Sequence, residues 1–268
     1  MIDTPGRLVL IGHPVAHSIS PIFQNAALRE YGIDLTYETL DVSPDALPAA
    51  LRELAAVRAI GNVTIPHKEA VFAQCARVTP LAQRVGAVNV FWHEDGGLVG
   101  DNSDVGGAEL VIRALLLGQP AGARIALVGA GGSAAAMLCA AERCGAERVL
   151  VYNRSMERAE NLVSRFAPMA CAVGSMEEAL AGASLVVNAT PVGLHGSEHP
   201  VPLQLLPAEC AVFDLAYRAG ETPWVTAARD AGHRAADGEG MLVEQGAIAF
   251  ERWFGIRPDR NVMWKALH

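Results

Sequence analysis

The chain of 268 residues, 51% of them hydrophobic, is long enough for one large domain or two of ordinary size and can bury a sizeable core. Its net charge of −8 is spread along the sequence without blocks, which argues against DNA or an anionic membrane as a partner. The five cysteines form no Cys-x-x-Cys pair, the N-terminus does not resemble a signal peptide, and no apolar run could span a membrane, so we expect a cytoplasmic protein with reduced thiols.

Short apolar runs alternate with helical patterns through the first half of the chain, which is typical of an α/β fold. One helix is predicted to begin at Ser20-Pro21, because serine can cap free amides and proline fits a first helical turn, and to end at Gly32. Residues 87–92 and 98–101 flank a glycine-containing turn and predict a hairpin. The other predicted strands are 8–11, 35–40 and 61–65, and the other predicted helices are 47–57 and 106–117.

The segment 118–122, which contains two glycines and a proline, is the best candidate for a linker. Beyond it the alternation becomes more regular. Capping residues mark two helix starts, Ser175 three residues before Glu178 and Thr222 directly before Pro223. The predicted strands of this half are 124–128, 148–152, 185–188 and 211–215. The pattern therefore predicts two domains with a boundary near residue 120.

A glycine-rich turn lies between the strand at 124–128 and a helical pattern. In its Gly-Ala-Gly-Gly-Ser-Ala sequence, Gly129 permits a tight turn, Gly131 lets backbone approach a pyrophosphate, and Ala134 allows the helix to pack closely on the strand. The helix N-terminus would present free amides to the phosphates. A glycine turn without a ligand is the alternative, but the strand-turn-helix context favours a dinucleotide site.

The next strand ends at Tyr152, about where an NAD enzyme carries an acidic residue for the ribose 2′-hydroxyl. The chain instead has Asn153-Arg154-Ser155, with Arg158 one helical turn later. A guanidinium can pair with a 2′-phosphate, whereas a cation at a helix N-terminus opposes the helix dipole unless an anion is present. We therefore expect NADP rather than NAD, and the alternative is a pair of solvated arginines.

Several polar residues of the N-terminal half could serve a substrate. Ser18 and Ser20 fall on one side of an extended chain, and Ser20 lies at a helix start, where a carboxylate would meet unpaired amides. A simple capping role for Ser20 is equally compatible with this spacing. Taken alone, Lys68 is typical of a surface lysine, Asp104 of a helix cap and Asn89 of a turn residue. Spacing does not bring Lys68 and Asp104 together.

A series of motifs, however, resembles the shikimate dehydrogenase family in composition and order. The opening motif contains Ser18-Ile-Ser20-Pro, and the next one ends in Pro-His-Lys68. The resemblance runs from residue 8 to about 255, so it is far more specific than any single motif. The matching segments are 12–21, 62–68, 86–89, 100–104, 129–134, 153–155, 214–217 and 237–245.

The resemblance implies an α/β protein with an N-terminal substrate domain, a Rossmann-like NADP-binding domain and an active site in the cleft between them. The substrate domain would comprise residues 1–105 plus about 241–268, and the dinucleotide domain residues 106–240. The implied activity is that of an NADP-dependent oxidoreductase of aromatic amino acid biosynthesis. It would interconvert 3-dehydroshikimate and shikimate, a small ring carboxylic acid, by hydride transfer.

The resemblance also implies roles for individual residues. Lys68 and Asp104 would form the catalytic pair, and Ser18 and Ser20 would hold the substrate carboxylate. No metal is implied. The residues implied to bind ring hydroxyls or face the substrate are Thr64, Asn89, Asp104, Tyr217 and Gln245. The residues implied to bind NADP are Gly129, Ala130, Gly131, Gly132, Ser133, Asn153, Arg154, Ser155, Arg158, Leu215 and Gly238.

The chain departs from the family pattern at four positions. Gln24 replaces a usual histidine, Val90 and Ser103 replace threonines, and Ala219 stands where a proline is usual. None of them removes a residue assigned to catalysis, but together they suggest a divergent branch. The preferred substrate could therefore be shikimate, quinate or an aminoshikimate. A non-catalytic sensor of NADP or a ring acid, and an unrelated substrate for the same dinucleotide domain, are the remaining alternatives.

Overall fold

The computed structural model of the protein describes residues 5–218 and 220–268, so the departure at Ala219 lies outside the described residues. Its strands are β1 (Leu8–Gly12), β2 (Tyr37–Asp41), β3 (Ile60–Val63), β4 (Arg77–Val78), β5 (Val90–Glu94), β6 (Gly97–Asp101), β7 (Arg124–Val128), β8 (Arg148–Tyr152), β9 (Ala170–Ala172), β10 (Leu185–Asn188), β11 (Ala211–Asp214) and β12 (Ala235–Ala236). Its helices are α1 (Ser20–Glu30), α2 (Leu47–Ala56), α3 (Lys68–Gln74), α4 (Pro80–Val85), α5 (Asp104–Leu115), α6 (Gly132–Arg143), α7 (Met156–Val163), α8 (Met176–Leu180), α9 (Pro223–Asp230), α10 (Glu239–Phe254) and α11 (Arg260–Lys265). None of these helices is long and apolar enough to span a bilayer.

The chain divides into two compact units. The first extends to Ser103 and resumes at Leu242, and the second is Asp104–Met241. The boundary predicted near residue 120 is therefore wrong. The helix α5, which precedes that point, packs against α6 within the second unit. Gly118 adopts a φ of +77°, typical of a residue that ends a helix, so the segment marks the end of α5 and not a domain junction.

The first unit contains a mixed six-stranded sheet in the order β2-β1-β3-β5-β6-β4. The strand β5 pairs antiparallel with β3 and β6, and the other neighbours are parallel. The ends of β1, β3 and β6 therefore lie at the same edge of the sheet as the start of β5. The segments that follow or precede these strand ends are 13–19, 64–67, 102–103 and 86–89.

Both faces of this sheet are buried. On β1, Leu8 and Leu10 point to one face and pack with Phe23 of α1, whereas Val9 and Ile11 point to the opposite face. All five side chains are at most 4% exposed, and burying an aliphatic or aromatic side chain of this size stabilises a fold by about 1.5–3 kcal/mol. The sheet is consequently a rigid base for the polar residues at its edge.

The second unit contains a fully parallel sheet in the order β12-β11-β10-β7-β8-β9. Counted within the unit, this is the strand order 3-2-1-4-5-6 of a doubly wound dinucleotide-binding fold, whose order reverses between β7 and β10. The predicted α/β class with a Rossmann-like half is confirmed. Ligands of such sheets bind beyond the carboxyl ends of the strands at this reversal.

Most elements predicted from the sequence are present, with ends displaced by up to three residues. The Ser175 hydroxyl caps α8 by accepting from the backbone N–H of Glu178 at 3.2 Å, and the Thr222 hydroxyl caps α9 by accepting from that of Val225 at 3.4 Å. The strands β4, β9 and β12 were not predicted. Each has only two or three residues, which is too short to carry a periodic pattern.

We predict that Gly246→Ala destabilises the protein. A Cβ at this position would lie 2.4 Å from the ring of Phe23, which is fully buried and cannot move aside. The overpacking should lower the free energy of unfolding by about 1–3 kcal/mol in urea titrations. Gly240→Ala in the same helix is the control, because its Cβ would meet only Val111 at an ordinary 3.8 Å. Equal stability of the two variants would contradict the prediction.

Candidate active site

The two serines lie where β1 leads into α1. The Ser18 hydroxyl accepts a hydrogen bond from the backbone N–H of Ser20 at 3.3 Å. Ser20 is the first residue of α1 and the N-cap is Ile19, so the alternative of a simple capping role for Ser20 is wrong. The hydroxyl of Ser20 has no hydrogen-bond partner among the described residues, although the residue is only 6% exposed. It is therefore available to a ligand.

The loop that carries the serines is held by Asp41 at the end of β2. One carboxylate oxygen of Asp41 lies 2.6 Å from Nδ1 of His13, and the other accepts from the backbone N–H of Val15 at 3.3 Å. The His13 hydrogen bond holds the pKa of Asp41 below its usual range. This pair could not be predicted from the sequence, because it depends on β1 and β2 being neighbours, which residue spacing does not reveal.

Thr64 and Lys68 follow β3 at the same edge. The backbone N–H of Thr64 donates to the carbonyl oxygen of Ile11 at 2.8 Å. The Thr64 methyl group packs so close to Gly12 that a Cβ added to Gly12 would lie 2.5 Å from it. Lys68 is half-buried at the first position of α3, and its carbonyl accepts from the N–H of Val88 at 3.0 Å. Backbone hydrogen bonds therefore fix both residues relative to β1 and to the segment before β5.

Three buried polar side chains form a cluster that we call the amide cluster: Asn89, Ser103 and Gln245. Nδ2 of Asn89 lies 3.0 Å from the Ser103 hydroxyl and 3.2 Å from Oε1 of Gln245, and Oδ1 of Asn89 accepts from the backbone N–H of Ser103 at 2.7 Å. The Ser103 hydroxyl also lies 3.3 Å from Oε1 of Gln245. In the sequence, Ser103 stands out only as a departure from the family pattern, and its place in this cluster was not predicted.

The carboxylate of Asp101 supports the segment that leads into the amide cluster. Asp101 is 4% exposed and accepts from the Thr79 hydroxyl, from the backbone N–H of Asn102 at 2.8 Å and from Arg252 at 2.7 Å. The Arg252 guanidinium also lies 5.8 Å from the centre of the Trp92 ring. These contacts compensate a buried charge and hold the end of β6, so the segment that follows it is fixed.

Two residues assigned to the site from the resemblance belong to the second unit. Asp104 is the first residue of α5 and is 6% exposed. Tyr217 is half-buried, and burial raises the pKa of its hydroxyl, which therefore stays protonated at neutral pH. Because Lys68 and Asp104 lie in different units, their pairing remains a prediction. Within the described ranges, no three His, Cys, Asp or Glu side chains are arranged to hold a metal ion.

The glycine-rich turn has the conformation that its sequence predicts. Gly129 has a φ of +112°, and a Cβ there would lie 2.8 Å from the carbonyl oxygen of Ala189, so only glycine fits. A Cβ on Gly131 or Gly132, in contrast, would meet no described atom within 4 Å. The turn therefore packs on one side against the end of β10 and leaves open space at the N-terminus of α6. This arrangement fits a pyrophosphate.

The segment after β8 presents two unpaired cations. The Ser155 hydroxyl caps α7 by accepting from the backbone N–H of Arg158 at 3.4 Å, and Asn153 donates to the carbonyl of Ser155 at 2.9 Å. The guanidinium groups of Arg154 and Arg158 are exposed and form no ion pair with any described residue. Two free cations at a helix start are unfavourable alone, so the geometry fits an anionic ligand at this position.

Three family models match the chain. They are described as "Shikimate dehydrogenase substrate binding domain" at residues 10–91, "Shikimate / quinate 5-dehydrogenase" at 113–200 and "Shikimate 5'-dehydrogenase C-terminal domain" at 238–268. A shikimate dehydrogenase (NADP(+)) from Symbiobacterium thermophilum is 42% identical over 97% of this chain and 92% of its own length. The chain belongs to the shikimate dehydrogenase family. The family predicted from the motifs is confirmed.

Solved structures of the family have the same fold. The shikimate 5-dehydrogenase of Thermus thermophilus, in complex with NADP(H) and shikimate, is 40% identical, covers 97% of both chains and has a TM-score of 0.86. The quinate dehydrogenase of Corynebacterium glutamicum, in complex with NAD, is 28% identical, covers 97% of both chains and has a TM-score of 0.88. Fold similarity alone therefore does not select the ring acid or the cofactor.

In this family member, two further residues implied to bind the cofactor, Leu215 and Gly238, lie next to each other in the second unit. The backbone N–H of Gly238 donates to Ala216 at 3.0 Å, and a Cβ on Gly238 would lie 2.3 Å from the carbonyl oxygen of Leu215. Glycine is required at 238 by this close approach. The neighbouring carboxylate of Asp214 is fully buried and accepts from Asn188 and Thr222, each at 2.8 Å.

The carboxyl group of Asp237 is the least compensated charge of this region. Oδ1 accepts from the backbone N–H of Glu239 at 3.1 Å, whereas Oδ2 is buried without a partner in the described part of the chain. Burial raises the pKa of Asp237 from 3.8 to about 6, and the carboxylates of Glu239, Glu221 and Asp214 add to the effect. The residue was matched to a family motif from the sequence, but its raised pKa was not foreseen because burial depends on tertiary packing.

We predict that Asp237 makes stability decrease with rising pH. Because the pKa is about 6 in the folded protein and near 3.8 when unfolded, the ionised group carries no cost below pH 3.8 and its full cost above pH 6. The unfolding free energy of Asp237→Asn minus that of the wild type should therefore increase by on the order of 3 kcal/mol from pH 4 to pH 7. The exposed Asp230→Asn is the control. A pH-independent difference between Asp237→Asn and the wild type would contradict this assignment.

Proposed function

We propose that this chain is an NADP-dependent oxidoreductase that interconverts 3-dehydroshikimate and shikimate. The observation that carries the proposal is the edge of the first sheet, where the topology collects the serine pair, Thr64, Lys68 and the amide cluster. Such a set suits a small molecule with a carboxylate at one end and ring hydroxyls at the other. The chain also belongs to a family in which two relatives, 37% and 42% identical to it, are named shikimate dehydrogenase (NADP(+)).

The serine pair is proposed to bind the substrate carboxylate. Both hydroxyls lie at the entry to α1, where the positive end of the helix dipole favours an anion. A hydrogen bond to a charged group contributes about 1.5–3 kcal/mol. The free hydroxyl of Ser20 supports this role, because a buried hydroxyl without a protein partner gains most from a ligand.

The ring hydroxyls are proposed to contact Thr64, Asn89 and Gln245, with Asp104 and Tyr217 completing the site. Thr64 is fixed by its backbone, and the two amides are fixed by each other and by Ser103. Side chains that are already positioned lose little conformational entropy when a ligand binds. This part of the chain is therefore suited to recognising the arrangement of hydroxyls on a rigid ring.

Lys68 is proposed to be the proton donor and acceptor. Reduction of the ring ketone forms a C–H bond at the carbonyl carbon and an O–H bond at its oxygen, and the proton comes from the ammonium group of Lys68, which is left as a neutral amine until solvent reprotonates it. Asp104 is proposed to orient this ammonium group and to balance charge as the proton leaves. Oxidation of the alcohol is the reverse of these steps.

The second unit is proposed to bind NADP, which supplies or accepts the hydride when bound. The open space over Gly131 and Gly132 suits the pyrophosphate, and Arg154 with Arg158 suits the 2′-phosphate. Leu215 and Gly238 are proposed to contact the cofactor as well. The remaining proposed contacts are Gly129, Ala130, Ser133, Asn153 and Ser155.

The proposal is tested by initial rates at 340 nm with shikimate and quinate, each with NADP and NAD. We expect the largest kcat/KM for shikimate with NADP, since Asn153-Arg154-Ser155 stands after β8 where an NAD enzyme carries an acidic residue for the ribose. Turnover of quinate with NAD at a higher kcat/KM would overturn both the substrate and the cofactor. Binding of NADP without turnover of either acid would favour a sensor.

Arg154→Ala should raise the KM for NADP roughly tenfold or more and leave the KM for NAD nearly unchanged. The reason is that only NADP carries the phosphate with which the guanidinium would pair. The matched control is Arg52→Ala, which removes an exposed arginine from α2 in the first unit. Equal effects of Arg154→Ala on the two cofactors would refute the role in phosphate recognition.

A further inference from the structure

The orientation of the Asn89 amide is fixed by the backbone. A backbone N–H can only donate, and that of Ser103 lies 2.7 Å from one terminal atom of the Asn89 side chain. This atom must therefore be the oxygen, and the NH2 group is turned toward the Ser103 hydroxyl and Gln245. Reversal of the amide would place two donors against each other at 2.7 Å.

The orientation of the Gln245 amide is fixed in the same way from the opposite side. A backbone carbonyl can only accept, and that of Leu242 lies 2.8 Å from Nε2 of Gln245. The oxygen Oε1 is then turned toward Nδ2 of Asn89 at 3.2 Å and toward the Ser103 hydroxyl at 3.3 Å. Flipping Gln245 would set its oxygen against the Leu242 carbonyl and its NH2 against that of Asn89, so two of the three contacts would be lost, and only the Ser103 hydroxyl could adapt by accepting.

The number of hydrogens determines what the cluster can offer to a ligand. Nε2 of Gln245 carries two hydrogens, of which one goes to Leu242, and the other has no acceptor among the described residues. Its acceptor Oε1 is already engaged by the Asn89 NH2 group and approached by the Ser103 hydroxyl. The Ser103 hydroxyl has one hydrogen and lies 3.3 Å from Oδ1 of Asn89 as well as from Oε1 of Gln245. What Gln245 presents to a ligand without a competing described partner is therefore its second N–H, a donor.

We propose that the amide cluster makes the site selective for a ring substituent that accepts a hydrogen bond, a hydroxyl or a carbonyl, over an ammonium group at the same position. An ammonium group has only donors, so it could not accept a hydrogen bond from the free N–H of Gln245. Because the amide cannot turn, the mismatch is not relieved by rotating the side chain. This inference rests on the proposed function in one respect, namely that Gln245 faces the ring.

Binding calorimetry on the protein saturated with NADP tests this directly. The ligands are shikimate and three analogues in which each ring hydroxyl in turn is replaced by an amine of nearly the same size. We expect one analogue to bind roughly 10- to 100-fold more weakly than shikimate, as for loss of a hydrogen bond that leaves polar groups mismatched. Equal or tighter binding of all three amines would overturn the inference.

The variant Gln245→Met identifies the source of the discrimination. Methionine has a similar length and no amide, so shikimate loses a hydrogen bond while the amine loses the opposing donor. The ratio of the two dissociation constants should therefore fall toward one. Gln83→Met, which changes an exposed glutamine of α4 in the same unit, is the control and should keep the wild-type ratio. An unchanged ratio in Gln245→Met would assign the discrimination to another group and overturn the role of Gln245.

The wild-type titrations separate this inference from the proposed function. Binding of shikimate together with equal binding of the amines would overturn the selectivity alone. A lack of shikimate binding would overturn the proposed function, and the inference with it. Because these titrations use only the wild-type protein, they stand even where Gln245→Met lowers stability by removing the acceptor for Asn89.

Discussion

The antiparallel strand β5 is the feature on which the proposed substrate site depends. In a fully parallel sheet, the segment before a strand lies at the opposite edge from the segments after its neighbours. Because β5 is inverted between β3 and β6, the Asn89 that precedes it lies at the edge where β3 and β6 end, and its carbonyl accepts from Val63 at 2.9 Å. A single reversed strand thus places Asn89 beside Ser103 and along the same edge as Lys68.

Features that depend on local backbone chemistry could be predicted from the sequence. The conformation of Gly129 and the caps at Ser175 and Thr222 follow from residue types within a few positions of one another, and the strands that carry long apolar runs follow from their periodicity. The resemblance supplied residues such as Gln245, whose spacing gives no signal of its own. Its contact with Asn89 joins residues 156 positions apart, and only the folded chain brings them together.

The features that could not be predicted depend on which elements become neighbours. The His13–Asp41 pair requires β1 beside β2, and the cost of ionising Asp237 requires the burial of its side chain. The domain boundary that composition predicted near residue 120 was wrong for a related reason. Glycine and proline near residue 120 mark the end of a helix, but they do not reveal which unit that helix packs against.

Backbone atoms determine whether the amide cluster turns a donor or an acceptor toward a ligand. The identity of the side chains therefore does not by itself determine the selectivity. Asparagine and glutamine each carry a donor and an acceptor, so their presence alone does not tell which one a ligand meets. The N–H of Ser103 and the carbonyl of Leu242 decide it, and both are backbone groups that any residue except proline at 103 would keep. A shift of the segment after β6 or of the turn of α10 that holds Leu242 could therefore reverse the preference while Asn89 and Gln245 are kept. In this chain, the presence of those two residues is thus a weaker indicator of substrate than the backbone that surrounds them.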